Sequence, residues 1–401
     1  CVNNNTAVGN EALLLFTGSN ATAVGSGAAD AATSAENLTA IGTNAAGSVT
    51  DSDDQTAVGN NALASCTTGA QNTAIGASAA FALTGSSNVM VGMNAGYYAT
   101  TVDDCVAIGR NAFLGASGNT TGNNNIAIGS YSLDATTTGH SNVAIGYLTG
   151  TAITSNHDNV AVGHRALQAA DGGENYNIAV GSYALNTEAT GADGCVAIGY
   201  YALKTQNGGG GNVAVGYNAA NGLDNGTDNV FIGYGVAGGS NTPTGDDNVI
   251  IGKHAGYDLA SGYRNIAIGY QAGFDFTNNH NNVAIGYNAM VAANDGELYN
   301  VAIGSGALSN ETSGADGCIA IGYNALRGQN ADVDNTAIGF VALYHNKTAN
   351  GNTAVGYQAG QTVVDVDNTF IGDNAGAAVG HATANVAVGA HAYGSSYFTD
   401  G

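Results

Sequence analysis

The stretch NVAIGYNAM, Asn282–Met290, decides the fold, because close copies of it stand at Asn212 (NVAVGYNAA), Cys318 (CIAIGYNAL) and Asn352 (NTAVGYQAG). The glycine at its centre recurs from Gly9 to Gly389 in 23 copies spaced 16 to 20 residues apart, so the mean repeat is about 17 residues. That is too short for a helical hairpin and suits one coil of a β-solenoid, in which each coil stacks on its neighbours. The fold class expected is therefore all-β, a parallel β-roll of about 23 short coils. The repeat runs almost from end to end, so residues 1–401 are read as one continuous repeat domain.

Composition points the same way. Gly accounts for 62 residues, Pro for 1 and Trp for none, and charged residues make up only 9%. Short strands joined by tight turns have that profile, whereas helical bundles do not. A net charge of −23 repels phosphate backbones and anionic bilayers, so neither nucleic acid nor a lipid surface is expected as a partner. No apolar run reaches the roughly 20 residues of a membrane helix. The chain starts at Cys1 without a Met and is read as a processed or partial product, a lipidated Cys1 being the weaker alternative.

With the repeat glycine as position 0, the columns separate into two faces. Position −1 is Val or Ile in all 23 copies and position −3 is Val, Ile or Thr, as a strand prefers. Position −2 is Ala in 19 copies, the exceptions being Met90, Phe231, Ile250 and Phe370. Large residues recur at +4, but never where −2 is large; Met90, Ile250 and Phe370 are matched by Gly96, Gly256 and Gly376, and Phe231 by Ala237. Two columns that trade size share one volume. Positions −2 and +4 are thus placed inside the coil and the −1 ridge outside. A ridge of that length needs covering. At roughly 1.5 kcal/mol or more per side chain, its burial would supply some tens of kcal/mol before entropy is subtracted. Self-association follows.

These motifs, at Asn282, Cys318 and Asn352 above all, resemble the head repeat of the YadA-like trimeric autotransporter adhesins, also found in phage and viral tail-fibre proteins, and near-matches cover almost the whole chain. The resemblance implies a left-handed parallel β-roll and a parallel homotrimer. It puts the aliphatic positions in the trimer core: Val162, Ile198, Val215, Ile232, Ile251, Ile268, Ile285, Ile303, Ile321 and Ile338. It further implies an extracellular location on a cell surface or virion appendage. Adhesion to a host receptor or glycan would be the work, and a phage or viral tail-fibre shaft is the runner-up. A fibre of 23 coils would be about 110 Å long at roughly 4.8 Å per coil.

Position −4 is Asn in 17 copies, and the stack including Asn142, Asn159, Asn212, Asn229, Asn265 and Asn282 is read as a hydrogen-bonded ladder. Cys105, Cys195 and Cys318 take that position as small buried substitutes, an interchain bridge being the minor alternative. Acidic turns precede several of these asparagines. Calcium is the one ion they could attract, at Asp332, Asp334, Asp365 and Asp367, although capping of the turn by Asp is the preferred reading and no resident cofactor is expected. Tyrosines recur at +1, for instance Tyr147, Tyr217 and Tyr287, where a subunit contact or surface stacking is favoured over sugar binding.

Catalysis finds no footing. There is no HExxH, GxSxG, CxxC or complete P-loop, so catalytic residues are not assigned and the chain is read as non-enzymatic. Two readings from other classes stay open. One is a monomeric solenoid whose Thr6, Thr22, Thr39, Thr56 and Thr73 face binds a ligand or ice; the other is a polysaccharide-active solenoid with acids gathered in a groove. Receptor specificity is expected in the longer turns, Gly115–Asn124, Asp171–Asn177 and Gly235–Asp247.

Overall fold

The computed structural model describes residues 4–116, 120–170, 174–189, 191–293, 296–310, 314–328, 333–346, 349–381 and 383–393. Among them the only regular elements are three-residue β-strands, and no helix is long and apolar enough to cross a membrane. The chain is an all-β parallel β-solenoid of about 21 turns.

It falls into two compact units, 1–208 and 209–401. In the first, strands pair in parallel from Thr6↔Thr22 to Ile178↔Val196, eleven turns in all. A second parallel pair, Thr187–Ala189 with Thr205–Asn207, lies on another side of the coil. In the second unit the pairing runs from Val213↔Val230 to Thr369↔Val386, ten turns.

The register never slips: −3 sits on −3, −2 on −2 and −1 on −1, as in Val283↔Val301, Ala284↔Ala302 and Ile285↔Ile303. Period-two geometry then sends −2 inward. Ala284, Ala302 and their equivalents after the first turn, where Ala7 is exposed, are buried, and so are Met90, Phe231, Ile250 and Phe370. The size trade between −2 and +4 has a direct geometric basis. A Cβ on Gly96 would lie 2.6 Å from Met90 Sδ, one on Gly256 3.0 Å from Ile250 Cγ2, and one on Gly376 would overlap the Phe370 ring.

The interior is wider than these two columns. Position +3, mostly Ala, is buried throughout the middle of each unit, and +7 supplies Val49, Cys66, Leu83, Ile153, Leu223, Leu259, Phe276 and Val363. Where both −2 and +4 are small, +7 fills the space: a Cβ on Gly273 would meet the Phe276 ring, and one on Gly150 would lie 3.0 Å from Ile153 Cδ1. The core therefore holds a roughly constant volume from turn to turn while the residue supplying it changes.

The invariant repeat glycine has two causes. Its φ is near +138° at Gly286, a region L side chains avoid, and a Cβ there would lie 2.6 Å from the carbonyl oxygen of Gly304 in the next turn. Three further positions per turn, −5, +2 and +4, are left-handed: Asn281 at φ 59°, Asn288 at 54° and Met290 at 47°. Asn tolerates this conformation at −5 and +2. At +4 a Leu or Met costs about 1–2 kcal/mol, offset by about 1.5–3 kcal/mol from burying its side chain.

Candidate interaction surface and its ladders

With −2 inside, −1 and −3 both face out. All ten aliphatic residues expected in a subunit core point outward and are half-buried or exposed in the single chain: Val162 and Ile198 in the first unit; Val215, Ile232, Ile251, Ile268, Ile285, Ile303, Ile321 and Ile338 in the second. Ile198 is 40% exposed and Ile338 37%. The neighbouring −3 column adds Val89, Ile178, Ile266 and Ile319 to the exposed set. Each unit thus carries a flat strip two β-branched residues wide, in register along every turn. Such a strip is larger than the scattered apolar residues usual on a soluble monomer.

Beside it, at +1, runs an aromatic column. Tyr217 stacks on Tyr234 at 5.0 Å, Tyr270 on Tyr287 at 5.2 Å, Tyr323 on Phe340 at 5.0 Å and Phe340 on Tyr357 at 5.3 Å, with ring planes within 17°. The spacing is that of strands in a sheet, so rings in successive turns stack directly on one another.

Between the end turns, where Asn5 is exposed and Asn385 half-buried, the −4 asparagines are buried and hydrogen-bonded. Asn282 donates its backbone N–H and Nδ2 to Asn265 Oδ1 at 3.1 and 3.3 Å, and Nδ2 also donates to the Glu297 carbonyl at 2.7 Å. Asn159 does the same to Asn142 Oδ1 and the Glu174 carbonyl, all at 3.1 Å. Asn229 N–H reaches Asn212 Oδ1 at 3.0 Å. Satisfying the side chain and the corner backbone together is what lets an amide lie in a narrow apolar core. Cys105, Cys195 and Cys318 continue the column by donating backbone N–H to Asn88, Asn177 and Asn300 Oδ1 at 3.0, 2.7 and 2.9 Å. Their side chains lie inside the coil, away from any outer surface where two chains could be bridged. Burial pushes the Cys105 thiol from its ordinary 9.0 up to about 11, and Cys66, at +7, rises to the same value for the same reason.

The acidic turns form a second ladder one corner away. At position −6, Asp53, Asp103, Asp246 and Asp316 Oδ1 accept the backbone N–H of Glu36, Ser86, Thr227 and Leu298 in the preceding turn at 2.7–2.8 Å. These aspartates cap backbone. Of the calcium candidates, Asp332 lies outside the described residues, and Asp334 and Asp367 occupy the left-handed −5 position at φ 60° and 62°. Asp365 Oδ2 is 3.5 Å from His381 Nδ1. Among the described residues no three His, Cys, Asp or Glu side chains gather as a metal site would require.

Two buried carboxylates have no counterpart in the sequence reading. Glu174 and Glu297, both at −7, are fully buried, and each accepts from the Asn of the turn before: Asn156 Nδ2 donates to Glu174 Oε2 at 3.0 Å, and Asn279 Nδ2 to Glu297 Oε2. Their equal offset from Gly181 and Gly304 is the signal that would have found them. The turn read as Gly235–Asp247 is shorter than expected, because Val236 and Ala237 are buried at +3 and +4; the variable corner begins after them. Parts of the other two long turns, 117–119 and 171–173, lie outside the described residues. No protein-family model matches the chain, and no curated protein matches it.

Proposed function

We propose that this chain is a non-enzymatic fibre segment whose −3/−1 strip is closed by two further copies of itself, giving a parallel homotrimer like the left-handed heads of YadA-like adhesins. Its place is extracellular, on a cell surface or virion appendage, where it holds its ends apart and adheres. The observation that carries this reading is the strip itself: two β-branched columns exposed in one chain, in unbroken register, built from side chains that strands elsewhere bury. A second copy is the best occupant, since only a surface with the same repeat matches it rung for rung. The bacterial adhesin and the viral tail-fibre shaft share this physics.

The test is mass in solution. The parent should run at three times the 39.5 kDa of one chain. Replacing Ile268, Ile285 and Ile303 together by Asp should dissociate it, because unpaired charges in a closed seam cost several kcal/mol each. A monomeric parent whose triple variant is equally stable would refute the reading.

One observation favours a second reading for the first turns. Thr6, Thr22, Thr39, Thr56 and Thr73 stack in register on the outward face, a regular hydroxyl row suited to a flat ligand or ice. Ice recrystallisation assays on the monomer, if that is the form found, separate the two.

A further inference from the structure

Between Tyr217 and Tyr357 the aromatic column of the second unit is interrupted twice, at Lys253 and at Ser305. At the first, Lys253 Nζ lies 5.6 Å from the Tyr234 ring centre and His254 packs edge-on to Tyr234 at 5.5 Å, so the open break is the second. Tyr287, Ser305 and Tyr323 occupy +1 in three successive turns, held in sequence by Gly306 N–H to the Tyr287 carbonyl at 2.9 Å and Asn324 N–H to the Ser305 carbonyl at 2.9 Å. Above Tyr287 the stack continues through Tyr270, and below Tyr323 through Phe340. Between them stands a serine, so the two tyrosines face each other across two strand spacings, about 10 Å.

Serine at +1 does not by itself leave a gap. Ser130 and Ser182 are flanked by aromatic or cationic rungs as well, and there the next residue fills the space: Tyr131 lies under Arg110 and packs edge-on to Tyr147 at 6.4 Å, and Tyr183 packs edge-on to His164 at 5.1 Å and Tyr200 at 6.4 Å. At Ser305 the next residue is Gly306, and the space is an open cleft of about 230 Å³. That is smaller than the roughly 300 Å³ at the lower end for drug-sized ligands and has room for one ring. A ring inserted midway would lie about 5 Å from each wall, the separation the column itself uses.

The +2 amides lose a rung at the same place. In the first unit such amides pair along the coil where they follow one another, Asn44 Nδ2 donating to Asn61 Oδ1 at 2.9 Å and Asn94 Nδ2 to Asn111 Oδ1 at 3.2 Å. Here Asn288 and Asn324 flank Gly306, which carries no amide to join them; Asn288 Oδ1, like Asn218 Oδ1, is buried without a hydrogen-bond partner. Arg327, one of only seven Lys and Arg residues in the chain, completes the rim, its Nη1 donating to Tyr344 OH at 2.8 Å. Two ring faces, two side-chain amides and a cation at the edge describe a site for a ring whose rim carries hydroxyls.

We infer that the cleft between Tyr287 and Tyr323 binds one pyranose ring of a glycan, its faces against the two tyrosines and its hydroxyls on Asn288, Asn324 and Arg327. The inference builds on the reading of the chain as an adhesive surface and names what that surface holds. A nucleobase would also fit between two rings, but a chain of net charge −23 repels its phosphates. Neutral and uronic sugars share the ring chemistry, and Arg327 is the group that would tell them apart.

The experiment is saturation-transfer NMR on the full chain with methyl glycosides of neutral and uronic pyranoses at millimolar concentration, adenosine serving as counter-probe. The decisive variant is Gly306→Tyr. Tyr131 and Tyr183 hold the same left-handed backbone position at φ 59°, against 69° for Gly306, so the substitution rebuilds an arrangement the fold already uses. Its Cβ would press only on the movable Asn324 amide. Sugar signals that fall at least tenfold in Gly306→Tyr and in Tyr323→Ala, with unchanged mass and thermal unfolding, support the site. A uronic preference erased by Arg327→Met, or equal binding of neutral sugars, supports it too and names the source. Adenosine binding without sugar binding, no binding by either, binding unchanged in Gly306→Tyr, or dissociation of the assembly by that variant would overturn it. Sugar binding by a monomer would uphold the cleft while removing the homotrimer.

Discussion

Ala284 and Met290 offer the sharpest test of how the coil is filled. Changing Ala284 to Phe places a ring in a volume that Met290 already occupies, and overpacking of this kind costs about 1–3 kcal/mol. Changing Met290 to Gly empties the same volume. A residual void on the order of 100 Å³ costs about 2.4 kcal/mol, reduced by about 1 kcal/mol because Gly accepts the left-handed backbone at φ 47° without strain. If the two positions were independent, the double variant would lose about 3–4 kcal/mol. Because Phe370 and Gly376 already realise the exchanged arrangement, with the ring where the residue 376 Cβ would be, the double variant should lose under about 1 kcal/mol. The coupling is then 2 kcal/mol or more in the restoring direction. Repeat arrays seldom unfold in a single step, so the measurement is native-state hydrogen exchange at the Met290 amide, which bonds the Ala307 carbonyl at 3.0 Å. Additive losses in the cycle would refute the shared volume and with it the argument that sets the outward face.

Other outcomes follow from the ladders, the thiols and the corners. Asn282→Ala should cost about 2–3 kcal/mol locally, since it removes the acceptor for Asn300 N–H at 2.9 Å and the donor to Glu297; exchange protection at residue 300 reports it. Cys66 and Cys105 contribute stability that is fully present below pH 9 and lost as pH rises through about 11, on the order of 2–3 kcal/mol for each thiol. The fall in urea midpoint over that range should flatten in a Cys66→Ala, Cys105→Ala variant relative to the parent. Shortening the corner after Ala237 to the mean repeat length should leave assembly intact and weaken binding to a target surface, which cell-binding assays with matched fibres would show; undiminished binding points away from that corner.

What the sequence made legible was whatever repeats within the strand. Two-residue periodicity and the exclusion of large residues from one column when the other is large were enough to separate Ala284 and Met290 from Ile285. The +3 and +7 columns were hidden because they lie in turns, where no period connects residue number to direction, and copies of 16 to 20 residues lose alignment after the motif. The −6 aspartates looked like solvated charges because their partners are backbone N–H groups a full turn earlier, which composition does not reveal. The Tyr287–Tyr323 cleft is defined by a glycine after a serine between neighbours 18 residues away on either side, a pattern that acquires meaning only once the turns are stacked.

Among the described residues of each unit, the strands of the main sheet touch only the strands directly before and after them in the stack. Under a pulling load applied to its ends, such a chain has no long-range contact to break first and gives way one coil at a time. Each coil of about 17 residues releases roughly 55 Å of contour at 3.3–3.6 Å per residue, less the rise it had as folded structure. A tether built this way lengthens in many small steps while the remaining coils stay intact, and re-forms from any surviving coil when the load drops. Its resistance to shear is thus set by the weakest single interface between coils, and adding coils increases reach without changing that force.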